Sequence, residues 1–249
     1  MEVHHHPHIP NHKKQWKEYL LEGFMIFIAV TMGFFAEQVR EHMIEKNREK
    51  AYMESMIHDL EKDREQLDRL IKTYETAYIN SADTIFVLME NFDVQKPAND
   101  LYYHLRLTNR FLTIKGYISN RTISQLNNTG NLRLVENREV EEAILDYYSK
   151  INVVRELEEY LYKEKHELRE MLPSLLKGEM YDKIIDDKDH LVRPSTPLYA
   201  NPISVIDKST LLYKMSDIKG LSRNIYLKLQ NILKQSEQLK KQIESSYHL

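Results

Sequence analysis

An uncharged apolar stretch near the N-terminus constrains this chain more than any other feature. Residues 23–36 read GFMIFIAVTMGFFA and contain no charged side chain. A membrane-spanning helix needs about 20 apolar residues, so this stretch is short when taken alone. Residues 19–21 extend it upstream beyond Glu22, and aromatic side chains lie near both ends, as they do at membrane interfaces. The sequence therefore predicts a transmembrane helix over residues 16–39.

Two alternatives to a transmembrane helix stay open at this point. A cleaved signal peptide requires a small-x-small pattern before the cut. A cut after Ala36 would require a small residue at position 34, where the chain has Phe34. The other alternative is a buried core helix. We prefer the transmembrane helix, because the stretch is apolar on every face and has interfacial aromatic residues at its ends.

The basic residues on either side of the stretch bear on its orientation. Three lysines precede it within residues 1–17, and four lysines and arginines follow it within residues 40–50. Only lysine and arginine count in the positive-inside rule, so the tally is nearly even. The tail of residues 1–15 is short and almost purely basic. We therefore expect a cytoplasmic N-terminus, an inner-membrane location and a periplasmic soluble domain.

Small and acidic residues inside the stretch are candidate functional positions. Ala29, Gly33 and Ala36 form a small-residue pattern that permits close packing of membrane helices, although the pattern also arises by chance. Glu22 is a candidate intramembrane carboxylate that binds a proton or an ion. The alternative, which we prefer, is a carboxylate near the end of the helix that reaches toward the lipid headgroups.

The remaining 210 residues, 40–249, are predicted to form one helical domain. From Met53 onward, apolar residues alternate in steps of four and three, which is the pattern of coiled coils and helical bundles. The predicted fold is all-α, with the transmembrane helix continuing into an elongated antiparallel coiled-coil-like bundle. Its long helices are predicted at about 40–91, 137–172 and 208–247, and its short helices at about 99–113 and 119–128.

Six polar residues, Ser81 among them, interrupt the apolar seams of these helices. They either fix the register of the bundle or mark faces that meet a partner chain, and the sequence does not choose between the two. The residues are Arg64, Ser81, Glu158, Lys165, Ser222 and Ser236.

Composition argues against several classes of function. Acidic and basic residues number 38 and 35, so the chain lacks the basic excess of a nucleic-acid-binding protein. It contains no cysteine, which excludes a disulfide scaffold and a thiolate metal site. No phosphate-binding loop, nucleophile elbow or dinucleotide fingerprint is present. We therefore expect neither an enzyme nor a cofactor.

The N-terminal tail is rich in histidine. Imidazole groups bind zinc, copper and nickel, so the tail is a candidate metal site. It lacks other ligands and contains two prolines, so weak adventitious binding or no role is the preferred interpretation. The histidines are His4, His5, His6, His8 and His12.

The segment around residue 130 is the most distinctive in the soluble domain. Asparagine and glycine favour turns, and the preferred interpretation is a turn at a helix end that closes the bundle. The alternative is a binding loop. The residues are Asn127, Asn128, Thr129, Gly130 and Asn131.

Four segments together resemble a known family. They are MEVHHHPHIPNHKK, WKEYLLEGFMIFIAVTMGFFAEQVREH, NREKAYMESMIHDLEKD and ISQLNNTGNLRLVENREVEEAILDYYS. In this order they resemble an uncharacterised family of single-pass envelope proteins of Bacteroidota, over most of residues 1–155. The resemblance implies an N-terminal transmembrane helix and a helical soluble region. It implies no activity and no catalytic residues.

These features favour a membrane-anchored structural or interaction protein. We expect it to self-associate or to serve as an accessory subunit of a cell-envelope complex, with membrane lipid and other protein chains as partners. The expected mechanism is burial of the apolar seams against a partner, with the membrane raising the effective concentration. Two alternatives are a ligand-binding or sensory bundle that signals through a partner, and an accessory subunit of an ion-driven machine that uses Glu22.

Overall fold

The computed structural model describes residues 15–188 and 190–249, and within these ranges the protein is all-helical, as predicted. The only β-type pairing among them is an isolated bridge between Ile185 and Leu191. The α-helices are α1 (Trp16–Thr73), α2 (Asn80–Glu90), α3 (Asn99–Thr108), α4 (Arg121–Asn128), α5 (Arg138–Leu175), α6 (Gly178–Tyr181) and α7 (Val205–Tyr247).

The chain divides into two compact units, Met1–Ala51 and Tyr52–Leu249. The described part of the first unit is helical and belongs to α1 from Trp16 onward. This helix contains an 18-residue apolar window, and it is long and apolar enough to cross a membrane. None of that apolar window is buried by the described chain. The predicted candidate membrane helix is therefore present as a helix with a fully uncovered apolar surface.

The second unit has its own core, to which α2, α3, α4, α5 and α7 all contribute together with the second part of α1. Helices α5 and α7 pack against each other, and α7 also packs against α2. Side-chain hydrogen bonds join α5 and its N-cap to α7, from Asn137 to Ser246 and from Gln235 to Asp146. Lys214 forms ion pairs with Glu164 and Glu167 of α5.

Local capping explains where the two longest helices of this unit begin. The Asn137 side chain accepts a hydrogen bond from the backbone N–H of Val140 at the start of α5. Ser204 accepts one from the N–H of Asp207, and its hydroxyl donates to the Asp207 carboxylate at the start of α7. Both are the N-cap arrangement that satisfies the otherwise unpaired N–H groups of a first helical turn.

One predicted long helix, 40–91, contains a change of helical type. A π-helical turn at Tyr74–Ile79 separates α1 from α2. The Ser81 hydroxyl donates to the carbonyl of Thr76, and the Thr108 hydroxyl donates to the carbonyl of Ala77. Side chains thus satisfy carbonyl groups at the point where the regular ladder is interrupted.

The predicted seam around residue 64 is wrong by one position. The Arg64 side chain is exposed and pairs with Glu237, whereas Asp63 is fully buried. A straight α-helix has 3.6 residues per turn, so its buried face drifts away from a strict seven-residue repeat. The other five polar seam residues are buried in this same unit: Ser81, Glu158, Lys165, Ser222 and Ser236.

Four predicted helix bounds also differ from the structure by two residues or more. The last helix, predicted from residue 208, begins at Val205. The helix predicted to end at residue 172 continues through Pro173 to Leu175, because the buried side chains of Leu172 and Leu175 hold its last turn on the core. The helix predicted at 99–113 ends at Thr108, and the one predicted at 119–128 begins at Arg121. In both of these, backbone N–H groups near the predicted ends bond to distant carboxylates, which are described below.

Candidate functional site

The predicted membrane-packing residues all lie on exposed turns of α1. Ala29, Gly33 and Ala36 are exposed, and a Cβ atom added at Gly33 would have no neighbour within 4 Å. Glu22 lies in the same helix, among exposed apolar residues. The surface of these positions is therefore available to lipid or to another helix.

The predicted binding loop, residues 127–131, forms the turn that follows α4. Thr129 is the C-cap residue of α4, and Gly130 adopts the left-handed conformation with φ of 66°. Asn131 donates a hydrogen bond of 2.9 Å to the Tyr52 hydroxyl. These contacts match the turn interpretation, and the two cavities described below are lined by other residues.

The candidate metal ligands of the N-terminal tail, His4, His5, His6, His8 and His12, lie outside the described residues. Within residues 15–188 and 190–249, no group of three or more histidine and carboxylate side chains is arranged to hold a metal ion.

A buried carboxylate on α5 organises the connection between α3 and α4. Glu158 accepts hydrogen bonds from the Tyr74 hydroxyl at 2.9 Å, from the Thr113 hydroxyl at 2.8 Å and from the backbone N–H of Ile114 at 2.9 Å. Burial raises the pKa of Glu158, and the hydrogen bonds from Thr113, Ile114 and Tyr74 oppose that rise. Glu158 thus fixes the start of the short 3₁₀ turn Ile114–Gly116 from a distant helix.

A buried lysine lies close to this carboxylate. The Lys165 ammonium group donates to the carbonyl of Arg110 at 3.1 Å and lies 3.2 Å from the centre of the Tyr78 ring. The Tyr78 hydroxyl donates to the same carbonyl at 2.9 Å. Burial lowers the pKa of Lys165 well below its usual value, and the charge of Glu158 opposes that shift. These contacts hold residue 110 against the bundle.

Two further carboxylates, on α1, hold the start of α4. Asp63 accepts a hydrogen bond of 2.7 Å from the backbone N–H of Ser119 and one of 3.2 Å from the Tyr147 hydroxyl. Asp59 accepts from the backbone N–H of Thr122 at 3.2 Å and from its hydroxyl at 2.6 Å. Burial raises the pKa of Asp63 to about 7, against the effect of its two hydrogen bonds. Asp59 therefore caps α4 from another part of the chain.

The first of two notable cavities has a volume of about 570 Å³ and lies between the end of α3, the end of α5 and α6. Three arginines contribute to its wall: Arg106, Arg110 and Arg169. Apolar side chains complete it, and no aspartate or glutamate lines it. The apolar residues are Phe111, Leu172, Pro173, Leu176 and Tyr181.

The arginines of this cavity are held by non-acidic contacts. The Arg106 guanidinium lies 4.7 Å from the centre of the Tyr181 ring, and Arg169 donates to the carbonyl of Asn109 at 3.4 Å. Among the described residues, none of Arg106, Arg110 and Arg169 forms an ion pair with a carboxylate. The Oδ1 atom of Asn109, which also lines the cavity, accepts no hydrogen bond within the described chain.

A second cavity, of about 480 Å³, shares Phe111 with the first. Its wall carries two acidic residues, Glu158 and Glu159, and two basic residues, Lys115 and Arg155, so it lacks the excess of positive charge of the arginine-lined cavity. The exposed ring of Phe111 packs edge-to-face on Tyr162, with ring centres 5.4 Å apart. The connector that the buried carboxylates fix therefore carries the aromatic side chain common to both cavities.

Sequence patterns reveal only part of this arrangement. Glu158 and Lys165 stand out as polar residues on an apolar seam. Asp59 and Asp63 give no such signal, because neither lies on the predicted seam. The arginines of the cavity lie in α3, in the segment that follows it and in α5, which is about 60 positions further along the chain. Only the folded chain brings them together.

The fold and these sites define an all-α protein with a self-contained helical core and one helix that is long and apolar enough to span a membrane. No family model, no curated protein and no solved structure matches the chain.

Proposed function

We propose that this chain is a single-pass inner-membrane protein whose helical domain acts as an interaction or accessory subunit of a cell-envelope complex. In this proposal the N-terminus is cytoplasmic and the helical domain is periplasmic, because the short tail that precedes the helix is almost purely basic. The observation that carries the proposal is the apolar window of α1, of which none is buried by the described chain.

The exposure of that window is costly in water. Phe27, Phe34 and Phe35 are each at least 65% exposed. Covering one large apolar side chain contributes about 1.5–3 kcal/mol, and this helix carries such residues on every face. A helix of this kind is stable when lipid tails or other apolar helices surround it. This argument supports a membrane anchor over a core helix, which would be covered by its own domain.

The order of the side-chain bonds supports the antiparallel arrangement of the bundle. The contacts of α7 from its end toward its start are made with α5 residues of increasing number: Ser246 with Asn137, Gln235 with Asp146, and Lys214 with Glu164. Two helices whose contacts run in opposite order lie antiparallel. The four-and-three spacing of the buried residues supports coiled-coil-like packing of these helices.

The seams themselves do not offer a surface to a partner. The apolar seam residues of α5 and α7 are buried inside the unit Tyr52–Leu249, which leaves other surfaces for association. The small residues of α1 are one such surface, because Ala29, Gly33 and Ala36 permit the close approach of a second membrane helix. We therefore propose that association uses the membrane helix in place of the seams.

The anchor is tested by introducing charge into the apolar window. The full-length chain is expected to remain in the membrane fraction after alkaline carbonate extraction. A variant carrying Phe27→Lys and Val30→Lys should appear in the soluble fraction, because lysine at the centre of a membrane helix costs about 3 kcal/mol per residue. A wild-type chain that carbonate releases completely would contradict the anchor.

Association is tested by disulfide formation in native membranes. The chain contains no cysteine, so a single introduced cysteine reports on one position. Gly33→Cys should give a covalent dimer on mild oxidation, whereas Thr31→Cys, on a different face of the same helix, should not. If neither variant crosslinks and the detergent-extracted chain is a monomer without a copurifying protein, the interaction role is wrong.

A further inference from the structure

The geometry points to a binding site for an amphiphilic organic anion in the arginine-lined cavity between α3, α5 and α6. The ligand class is a carboxylate or phosphate monoester that carries an apolar body. This inference is independent of the interaction role proposed above, since it concerns a different surface.

The charge of the cavity is the first step of the argument. Arg106, Arg110 and Arg169 contribute three guanidinium groups to a wall that contains no carboxylate. A guanidinium group presents paired N–H donors that match the oxygen atoms of a carboxylate or phosphate. None of the three arginines forms an ion pair with a carboxylate within residues 15–188 and 190–249, so no acidic side chain neutralises the positive charge of this wall.

The shape and lining of the cavity supply the second step. Its volume of about 570 Å³ lies within the range of about 300–1,000 Å³ that is typical of small-molecule sites. Leu172, Pro173 and Leu176 provide an apolar wall, and the rings of Phe111 and Tyr181 are aromatic. Inorganic phosphate alone would leave this apolar surface uncovered, so the lining favours an anion with a hydrocarbon or aromatic part.

The third step is that the cavity wall is held in place by the fold. The carbonyl of Arg110 accepts hydrogen bonds from Tyr78 and Lys165, which fixes the backbone while leaving the Arg110 side chain exposed. The Arg106 guanidinium lies over the ring of Tyr181, which belongs to α6. Binding sites whose groups are positioned in advance lose less conformational entropy when a ligand binds.

Arg106 also lies in the last turn of α3. A cationic side chain at this position stabilises the negative end of the helix without any ligand. The two roles predict different results. A helix-stabilising role predicts a lower melting temperature for arginine variants and no ligand binding, whereas a ligand site predicts binding that depends on all three arginines.

The test uses the full-length chain in phosphatidylcholine nanodiscs, which carry no net anionic lipid. The probe is 1-naphthyl phosphate, measured by isothermal titration calorimetry against empty nanodiscs. Saturable one-to-one binding is expected, at least about 10-fold tighter than that of inorganic phosphate or of 1-naphthol. Inorganic phosphate lacks the apolar body, and 1-naphthol lacks the anionic group that the arginines bind.

Substitutions then assign the binding to the cavity. Arg110→Gln and Arg169→Gln should each weaken binding by about 10-fold or more, since each removes a charge-assisted hydrogen bond. Arg223→Gln, at an exposed position of α7 outside the cavity, is the matched control and should leave binding unchanged. Circular dichroism of each variant should equal that of the wild type, because both cavity side chains are exposed.

A final arm distinguishes the source of the ligand. If the natural ligand is an anionic lipid, nanodiscs that contain phosphatidic acid, whose headgroup is a phosphate monoester, should weaken probe binding by competition. If it is a soluble metabolite, the affinity should be the same in both lipids. The inference is overturned if 1-naphthyl phosphate shows no saturable binding in phosphatidylcholine, or if Arg110→Gln and Arg169→Gln bind it as tightly as the wild type.

Discussion

Replacing Glu158 by alanine should destabilise the helical domain strongly, because this carboxylate is the common acceptor of a buried hydrogen-bond network. Tyr74 and Ile114 are fully buried and donate to it, and Thr113 donates from a partly buried position. In Glu158→Ala the Thr113 hydroxyl can turn toward water. The Tyr74 hydroxyl and the Ile114 N–H donate to no other acceptor among the described residues.

The expected size of the loss follows from these two fixed donors. A buried donor left without an acceptor costs about 1–3 kcal/mol, which gives about 2–6 kcal/mol for the pair. Removing Glu158 also removes the cost of burying its own charge, which is the reason that its pKa is raised. We therefore expect a net loss of about 2–4 kcal/mol. For a domain of this size, about 2–4 °C per kcal/mol gives a fall of about 5–15 °C in melting temperature.

The assay is thermal unfolding of the full-length chain in detergent, followed by far-ultraviolet circular dichroism. Glu159→Ala changes the neighbouring residue, which is exposed, and should alter stability by no more than about 0.5 kcal/mol. The network is measured directly by combining Glu158→Ala with Tyr74→Phe, which should be less destabilising together than the sum of the single changes. Equal melting temperatures for Glu158→Ala and Glu159→Ala would refute the reasoning.

Two further predictions concern positions held by the fold. Burial raises the pKa of Asp63 from 3.8 to about 7, so the folded state retains a proton that the unfolded state releases. The free energy of unfolding should therefore fall as pH rises from about 4 to about 7, and Asp63→Asn should flatten that dependence in urea unfolding; an unchanged slope would contradict the assignment. Gly130→Ala should destabilise the domain by about 1 kcal/mol, because φ is 66° and an added Cβ meets no atom within 4 Å, so the cost comes from the backbone alone. Gly116→Ala, which has neither a positive φ nor a close neighbour, is the control, and equal losses for the two variants would show that the left-handed conformation is not the cause.

The sequence predicts the class of the protein because its dominant signals are local. A long uncharged apolar run indicates a membrane helix whatever the rest of the chain does. An apolar period near 3.6 indicates a helix from neighbouring residues alone. The same locality limits the prediction of helix ends. Residues 110–113 have no helix-breaking proline or glycine, yet α3 ends at Thr108, while Ile114 bonds to Glu158.

Sequence alone therefore determined that the described part of the chain is all-helical, that one of its helices has a composition suited to a membrane, and that Glu158 and Lys165 interrupt an apolar seam. Tertiary structure decided which polar residues are buried: Asp63 is buried, whereas Arg64, the residue on the predicted seam, is exposed. It also assembled three arginines into one cavity. The physical reason is distance along the chain. A carboxylate that caps a helix 63 positions away, as Asp59 does for Thr122, leaves no periodic pattern in either segment.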